Sequence, residues 1–333
     1  MRALLFLALA VVAACGPGTT TSSGAGGDAT GGGGSTSATG GQGPGGSTGT
    51  GGQGGHGGSS GQGGDGGSGG QPPAQRVRVV AANLSSGNLQ SYDPGHGLRI
   101  LQGLDADVVL LQEMNYGNDS SAAFETMVAT VCGGGCDYVR GPQEQIPNGV
   151  VSRLPILDGG SWTDPQVSNR TFVWARLDAP GNDDLWAISV HLLSSGATQR
   201  NLEAQALLSQ IASQVPTSDL IVLGGDLNTD SRGETVIGTL GSVFHTAGPH
   251  PADQNGNDMT NEPRSRPYDW VLADDDLAPH LVPVVIGSST FPSGAVIDTR
   301  VYTPLAEIAP AQQGDSGAPG MQHMAVVKDF VLP

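Results

Sequence analysis

Seven polar side chains stand where short apolar runs begin or stop. Asn83 closes the run Arg76–Ala82, and Glu113 closes Asp107–Gln112. His191 falls at the end of Leu185–Leu192, and Asp226 and Asn228 follow Leu220–Leu223 across two glycines. Asp269 stands at the head of Tyr268–Leu272, and His323 at the head of His323–Phe330. Carboxylates, carboxamides and imidazoles are the groups that hold hard cations and move protons. Any one of them has a bland explanation, because a polar residue at a strand end is usually solvated or caps a turn, and Asp-x-Asn after two glycines is a common Asx turn. Their joint placement at the mouths of apolar strands favours one polar site on a rigid scaffold.

The elements that must position them read as alternating strands and helices. Asp107–Gln112 is a continuous apolar run of the kind buried on both faces of a sheet. Further strands are expected at Gly149–Ser152, Thr171–Leu177 and His280–Ile286. Helices are expected at Gly97–Leu104, at Ser121–Val131, and at Gln199–Val215 with Leu202, Ala206, Leu207, Ile211 and Val215 as the apolar set. Interleaved strands and helices of this kind imply an α/β sandwich with helices covering the sheets. The spacing lacks the regular βαβα rhythm of a simple doubly wound sheet.

The 333 residues divide sharply by composition. Met1-Arg2 followed by the apolar run Ala3–Val12 has the charged start and short core of an export signal, and the run closes on Val12-Ala13-Ala14-Cys15. Residues 16–72 are crowded with glycine and contain no Val, Ile, Leu, Met or aromatic residue, so they cannot build a core. As a flexible coil they would reach roughly 40 Å. Residues 73–333 are left as one large domain. That domain holds every charged side chain except Arg2, Asp28 and Asp65, within a formal net charge of −17, and Lys328 is the only lysine. A broad basic groove for nucleic acid is therefore not evident. Outside residues 4–14 no apolar run approaches the roughly 18 residues of a spanning helix. Cys132 and Cys136 lack nearby His or Cys partners for zinc, and the three glycines between them permit a local disulfide, which export would favour.

The order of motifs resembles a known family. Ala82-Asn83, Asp105-Ala106-Asp107 leading to Gln112-Glu113, and Val150-Val151-Ser152-Arg153-Leu154-Pro155-Ile156 come first. Ser189-Val190-His191-Leu192, Gly224-Gly225-Asp226-Leu227-Asn228-Thr229, Tyr268-Asp269-Trp270-Val271-Leu272 and Gln322-His323 follow. Together they are similar to the endonuclease/exonuclease/phosphatase superfamily, over about Arg76–Pro333. The superfamily includes pancreatic-type deoxyribonuclease, apurinic endonucleases, bacterial sphingomyelinases and inositol polyphosphate phosphatases. The resemblance implies two packed mixed β-sheets flanked by helices, a four-layer α/β sandwich, and hydrolysis of phosphoric esters assisted by Mg²⁺ or Mn²⁺. It implies Glu113 as metal ligand with Asn83 supporting or joining it, Asp226 as the residue that orients or deprotonates water, and Asn228 as a phosphate-positioning neighbour. His191 would act on the leaving group, His323 would contact a phosphate oxygen with Asp269 orienting its ring, and Arg153 would contact phosphate. Where the family ends in Ser-Asp-His this chain has Met321-Gln322-His323, a neutral amide in place of a carboxylate, which argues against a second metal site.

The segment ending in Cys15 resembles the lipobox of bacterial lipoproteins. That resemblance implies an acylated Cys15, with Gly16 after it suggesting the outer membrane. Acyl chains contribute about 0.8 kcal/mol per buried methylene, enough in a multiply acylated cysteine to tether a soluble, monomeric domain. The expected substrate is a phosphoester, either nucleic acid or a phospholipid head group. An extracellular nuclease is the first reading, and a sphingomyelinase-like or small-phosphodiester hydrolase the second. A surface binding protein that has lost its chemistry is the competing class.

Overall fold

The computed structural model describes residues 74–86, 94–142 and 144–332. The export segment, Cys15 and residues 16–72 lie outside them. The strands in chain order are β1 (Gln75–Asn83), β2 (Val108–Gln112), β3 (Asp137–Arg140), β4 (Gly149–Ser152), β5 (Ile156–Thr163), β6 (Thr171–Leu177) and β7 (Leu185–His191). They continue with β8 (Leu220–Asp226), β9 (Asp269–Ala273), β10 (Leu281–Val282), β11 (Val284–Ile286), β12 (Ser289–Phe291), β13 (Ala295–Ile297) and β14 (Ala325–Leu332). The α-helices are α1 (His96–Leu104), α2 (Ser121–Cys132), α3 (Ala197–Gln214) and α4 (Thr235–Leu240).

One sheet has the order β10-β14-β1-β2-β4-β3, with β13 also paired to β14; the other runs β5-β6-β7-β8-β9. Both are mixed: β1 and β2 are parallel, as are β7 and β8, and the other pairs are antiparallel. Because side chains alternate along a strand, each sheet presents two apolar faces. Val79, Leu110, Val150, Val173, Ala187, Val222, Val271 and Phe330 form the core between the sheets. Val80, Leu111 and Val327 face outward, packing against Leu101 of α1 and Met127 of α2. Ile188 and Leu223 pack outward against Leu207 and Ile211 of α3 and Ile237 of α4. The layers are thus helices, sheet, sheet, helices, as the resemblance implied.

Local chemistry explains where elements begin and end. Ser120 caps α2 by accepting from the Ala123 N–H at 3.3 Å. The helix ends in Gly133, Gly134 and Gly135, all at positive φ, and this left-handed path brings Cys136 back to close a disulfide with Cys132. Among the described residues no helix is long and apolar enough to cross a membrane.

Three expectations fail in detail. His280–Ile286 is not one strand: Pro283 has no N–H to give a ladder, so the chain splits there into β10, in the large sheet, and β11, in a hairpin with β12. His323 precedes the last strand, which begins at Ala325, and forms an isolated bridge with Asn261. Leu202 does not face the core; the buried side of α3 carries Arg200 and Glu203 beside Ala204, Leu207 and Ile211.

Candidate active site

Strand register assembles the centre of the site. On three adjacent strands His191 is paired with Asp226, and Asp226 with Asp269. Residues opposite one another on a ladder point to the same face, so one rung presents an imidazole and two carboxylates side by side. In the other sheet Asn83 pairs with Gln112, which puts Glu113 one residue beyond. The ends of β1 and β2 therefore meet the ends of β7 and β8 and the start of β9.

Gly224 and Gly225 let the two sheets close at this point. A Cβ on Gly225, at φ 140°, would lie 2.0 Å from the Val190 carbonyl and 2.7 Å from Gln112 Nε2. Gln112 Nε2 donates to Ser189 Oγ at 2.9 Å, and Ser189 Oγ donates to the Leu111 carbonyl at 2.6 Å, so β2 and β7 are fastened directly behind the site.

Asp226 is the hub. Its Oδ2 lies 3.1 Å from Asn83 Nδ2, 3.3 Å from His191 Nε2 and 3.5 Å from His323 Nε2. Its Oδ1 accepts the Asn228 backbone N–H at 2.8 Å, closing the Asx turn that places Asn228 at φ 51°. Burial raises the Asp226 carboxyl to about 7; His323 opposes this and Asp269 adds to it. His323 Nδ1 lies 3.0 Å from Asp269 Oδ2. Burial alone would lower His323, but the carboxylates of Asp269 and Asp226 overcome it and hold the imidazole at about 9, charged at neutral pH. His191 is driven the other way, well below its ordinary value, by burial and then by Arg170 and His323; its Nδ1 is buried without a hydrogen-bond partner. Two histidines on one carboxylate are thus held in opposite charge states.

Asn83 donates to Glu113 Oε1 at 3.3 Å as well as to Asp226, while its oxygen accepts the Ser85 N–H at 2.8 Å. It therefore turns N–H, not oxygen, toward Glu113. Glu113 sits at φ 53°, an uncommon conformation for a residue with a Cβ, which ends β2 and turns the chain at the site. Asn228 Nδ2 is committed to the Leu192 carbonyl at 2.9 Å. Gln322 projects its side chain to solvent, with its backbone held by Ser85 Oγ and Glu262 N.

Arg153 is not in the cluster. It pairs with Asp105 at 2.6 Å and donates to the Cys132 carbonyl, at the opposite end of the sheet, where the disulfide also lies. The reason is direction: β4 runs antiparallel to β2, so its end is at the edge where β2 begins. Arg170, by contrast, was not foreseen. Buried immediately before β6, it donates through Nε to the His191 carbonyl and through Nη2 to the Leu192 carbonyl at 2.9 Å. Beneath it Glu203, raised to about 8 by burial, accepts the Leu193 N–H. An arginine heading an apolar strand is the same signal that marked Asp269, applied to Thr171–Leu177.

Two places among the described residues could hold a divalent cation. One oxygen or nitrogen each from Asp226, Asp269 and His323 lie within 4.8 Å of one another. There a cation would have to displace the proton that both carboxylates hold on His323. Glu113 is the better fit: it is half-buried, and its only side-chain hydrogen bond among the described residues is the 3.3 Å contact from Asn83. A hard carboxylate beside solvent suits an ion that keeps several of its waters.

Acid–base groups in split protonation states, next to a half-buried carboxylate at one end of a four-layer sandwich, are the equipment of a phosphoester hydrolase. Residues 80–293 match the Endonuclease/Exonuclease/phosphatase family, and the chain belongs to it. Members of the family are generally metal-dependent phosphoester hydrolases. Among solved structures, an endonuclease/exonuclease/phosphatase family protein from Bacteroides thetaiotaomicron shares 14% identity and a TM-score of 0.52, covering 78% of this chain and 99% of that one. The endonuclease/exonuclease/phosphatase from Bacteroides vulgatus gives 16% and 0.52, over 78% and 100%. A humanized TDP2 from D. rerio gives 16% and 0.51, over 77% and 98%. At such identities the likeness speaks for the fold. No curated protein matches the chain.

Proposed function

We propose that this protein is an exported, lipid-anchored phosphodiester hydrolase of nuclease type that works with one divalent cation, Mg²⁺ or Mn²⁺, as a monomer. The observation that carries the chemistry is the Asp226 hub, with a neutral His191 on one side and a charged His323 on the other. Asp226, raised to about 7, orients the attacking water and accepts its proton. His323, oriented by Asp269, donates to a phosphate oxygen as negative charge develops there. His191 serves the leaving oxygen, and Asn228 positions the phosphate beside it. Glu113, supported by Asn83, would hold the cation, which supplies charge neutralisation at the phosphoryl oxygens. Cys15 would carry the acyl anchor, on the outer membrane, with residues 16–72 as the tether.

A second substrate reading rests on a specific observation. Arg76, Arg99, Arg140, Arg153, Arg176, Arg232, Arg264, Arg266 and Arg300 are each ion-paired with a carboxylate. Such arginines give little grip on a long polyanion, whose binding draws on free cations. A small phosphodiester or a phospholipid head group fits this surface better than duplex DNA does. Hydrolysis of bis-(p-nitrophenyl) phosphate with and without EDTA tests the activity itself: no EDTA-sensitive turnover sinks it. Plasmid DNA, RNA and sphingomyelin assayed side by side then separate the substrates. Fractionation of a Cys15→Ser variant tests the anchor, which fails as an idea if the variant stays with the membrane.

A further inference from the structure

Two buried carboxyl groups meet beside the turn that follows His191. Asp164 comes directly after β5 and Glu203 lies on the inner side of α3, and both are closed to solvent. Asp164 Oδ1 accepts the Gln166 N–H at 2.9 Å, while its Oδ2 is buried and receives no N–H or O–H. Both Glu203 oxygens face the Leu193 N–H, at 3.1 and 2.9 Å, and the two carboxyls are hydrogen-bonded to each other. Ionised carboxylates are acceptors only, so that contact requires a proton.

The same turn is held by two arginines. Arg170 donates to the His191 and Leu192 carbonyls, and Arg200 donates to the Leu193 carbonyl at 3.1 Å and the Ser194 carbonyl at 3.3 Å. Arg200 is already matched, since its Nε and Nη2 grip the Glu234 carboxylate just ahead of α4. Arg170 is the cation that both carboxyls feel, and Asp226 draws on it as well. Two ionised carboxylates against one guanidinium would leave net charge in a dry interior, whereas one shared proton makes the set neutral. Burial accordingly raises both carboxyls, Glu203 to about 8.

We propose that Asp164 and Glu203 share one proton at neutral pH, and that the protonated pair positions His191 by fixing its turn through the Leu193 N–H and Arg170. The positioning role rests on the part given to His191 above; the shared proton does not. Being buried, neither carboxyl reaches a substrate. The folded protein keeps a proton that the ordinary carboxyl releases above 4.5, so the pair costs stability progressively as pH rises from there to about 8, and no further beyond. Once the proton has left, repulsion between the two carboxylates loosens their hold on the turn.

Glu203→Gln supplies the test, because an amide donates to Asp164 and still accepts from Leu193 without a titrating proton. Between about pH 5 and about pH 8 the melting temperature of the wild type should fall by roughly 5 to 10 °C relative to this variant. The infrared carbonyl band of a protonated carboxyl should be lost on passing from wild type to Glu203→Gln, and Asp164→Asn should reproduce both results. A constant melting gap, or no lost band, overturns the shared proton. For positioning, Glu203→Leu should lower kcat roughly tenfold with KM little changed, and Glu203→Gln should restore it to within about threefold. The NMR signals of the His191 ring should move in Glu203→Leu and stay in place in Glu203→Gln. Unmoved signals in Glu203→Leu overturn the positioning role whether or not the protein hydrolyses phosphoesters. If Glu203→Leu fails to fold, the wild-type His191 signals decide: they must show a step near pH 8 that Glu203→Gln lacks.

Discussion

The two ends of the sheets use charge in opposite ways. At the end where β1, β2, β7 and β8 stop, Asp226, His191 and His323 are buried around a single carboxylate oxygen and pushed to unusual protonation states. At the other end, charge is cancelled pairwise: Arg153 with Asp105, and Arg176 with Asp184. The first arrangement leaves charge incompletely compensated, as the proposed chemistry would require; the second holds loops. Proximity of polar residues to a sheet edge is therefore no sign of function by itself. Incomplete compensation is.

Mutation can break this contrast most severely at the hub. Asp226→Asn should lower turnover by about 10³- to 10⁴-fold, since it removes the proton acceptor and leaves His323 with one carboxylate. Steady-state rates on bis-(p-nitrophenyl) phosphate measure this, and a loss below tenfold would remove Asp226 from the chemistry. Glu113→Gln should cost about 10²-fold at limiting Mg²⁺ and be partly restored at high Mg²⁺, because an amide is a weaker ligand than a carboxylate. A Mg²⁺ titration that superimposes on the wild type would move the cation elsewhere.

Arg170 sharpens the comparison, as it is buried near the hub yet reaches it only through the backbone carbonyls of His191 and Leu192, its Nη1 being held by Asn169 Oδ1 at 3.1 Å. Arg170→Met should reduce kcat by roughly 10-fold with little change in KM, as expected of a residue that positions His191 and, through Leu192, Asn228. Equal loss in an assay of folding would make it merely structural. The pH profile gives a milder effect. Activity should rise as Asp226 loses its proton near 7 and fall as His323 loses its proton near 9, with a bound cation drawing both limbs lower. In His323→Gln the alkaline limb should disappear while the acid limb remains. At the far end, Arg153→Ala should change turnover less than about twofold.

That last expectation reverses what the sequence suggested, and the reason is instructive. Apolar runs are visible because buried strands need them, so β1, β2, β4, β6 and β7 could be placed closely, and with them Asn83, Glu113 and His191, whereas Leu220–Leu223 marked only the first part of β8, which continues through two glycines to Asp226. Strand direction leaves no such trace. β1, β2, β7 and β8 carry their site residues at their ends, whereas β9 runs the other way and carries Asp269 at its start. The same logic puts His323 just ahead of β14 and removes Arg153 after β4. The interior of α3 was misread because Arg200 and Glu203 are buried by partners in distant loops: Arg200 pairs with Glu234, and Glu203 accepts from Leu193. Periodicity of apolar residues has no means of announcing a buried charge whose compensation comes from elsewhere in the chain.

The Asn83 amide belongs to one sheet and Asp226 to the other, and 3.1 Å separates them. A slip of the sheets by one residue, about 3.4 Å, would part them entirely. The proposed catalysis would thus be a vernier: it would read the alignment of two layers that are each intact when it fails. Under gentle heating, turnover should fade while both sheets keep their ladders, and return on cooling without any need to refold a strand.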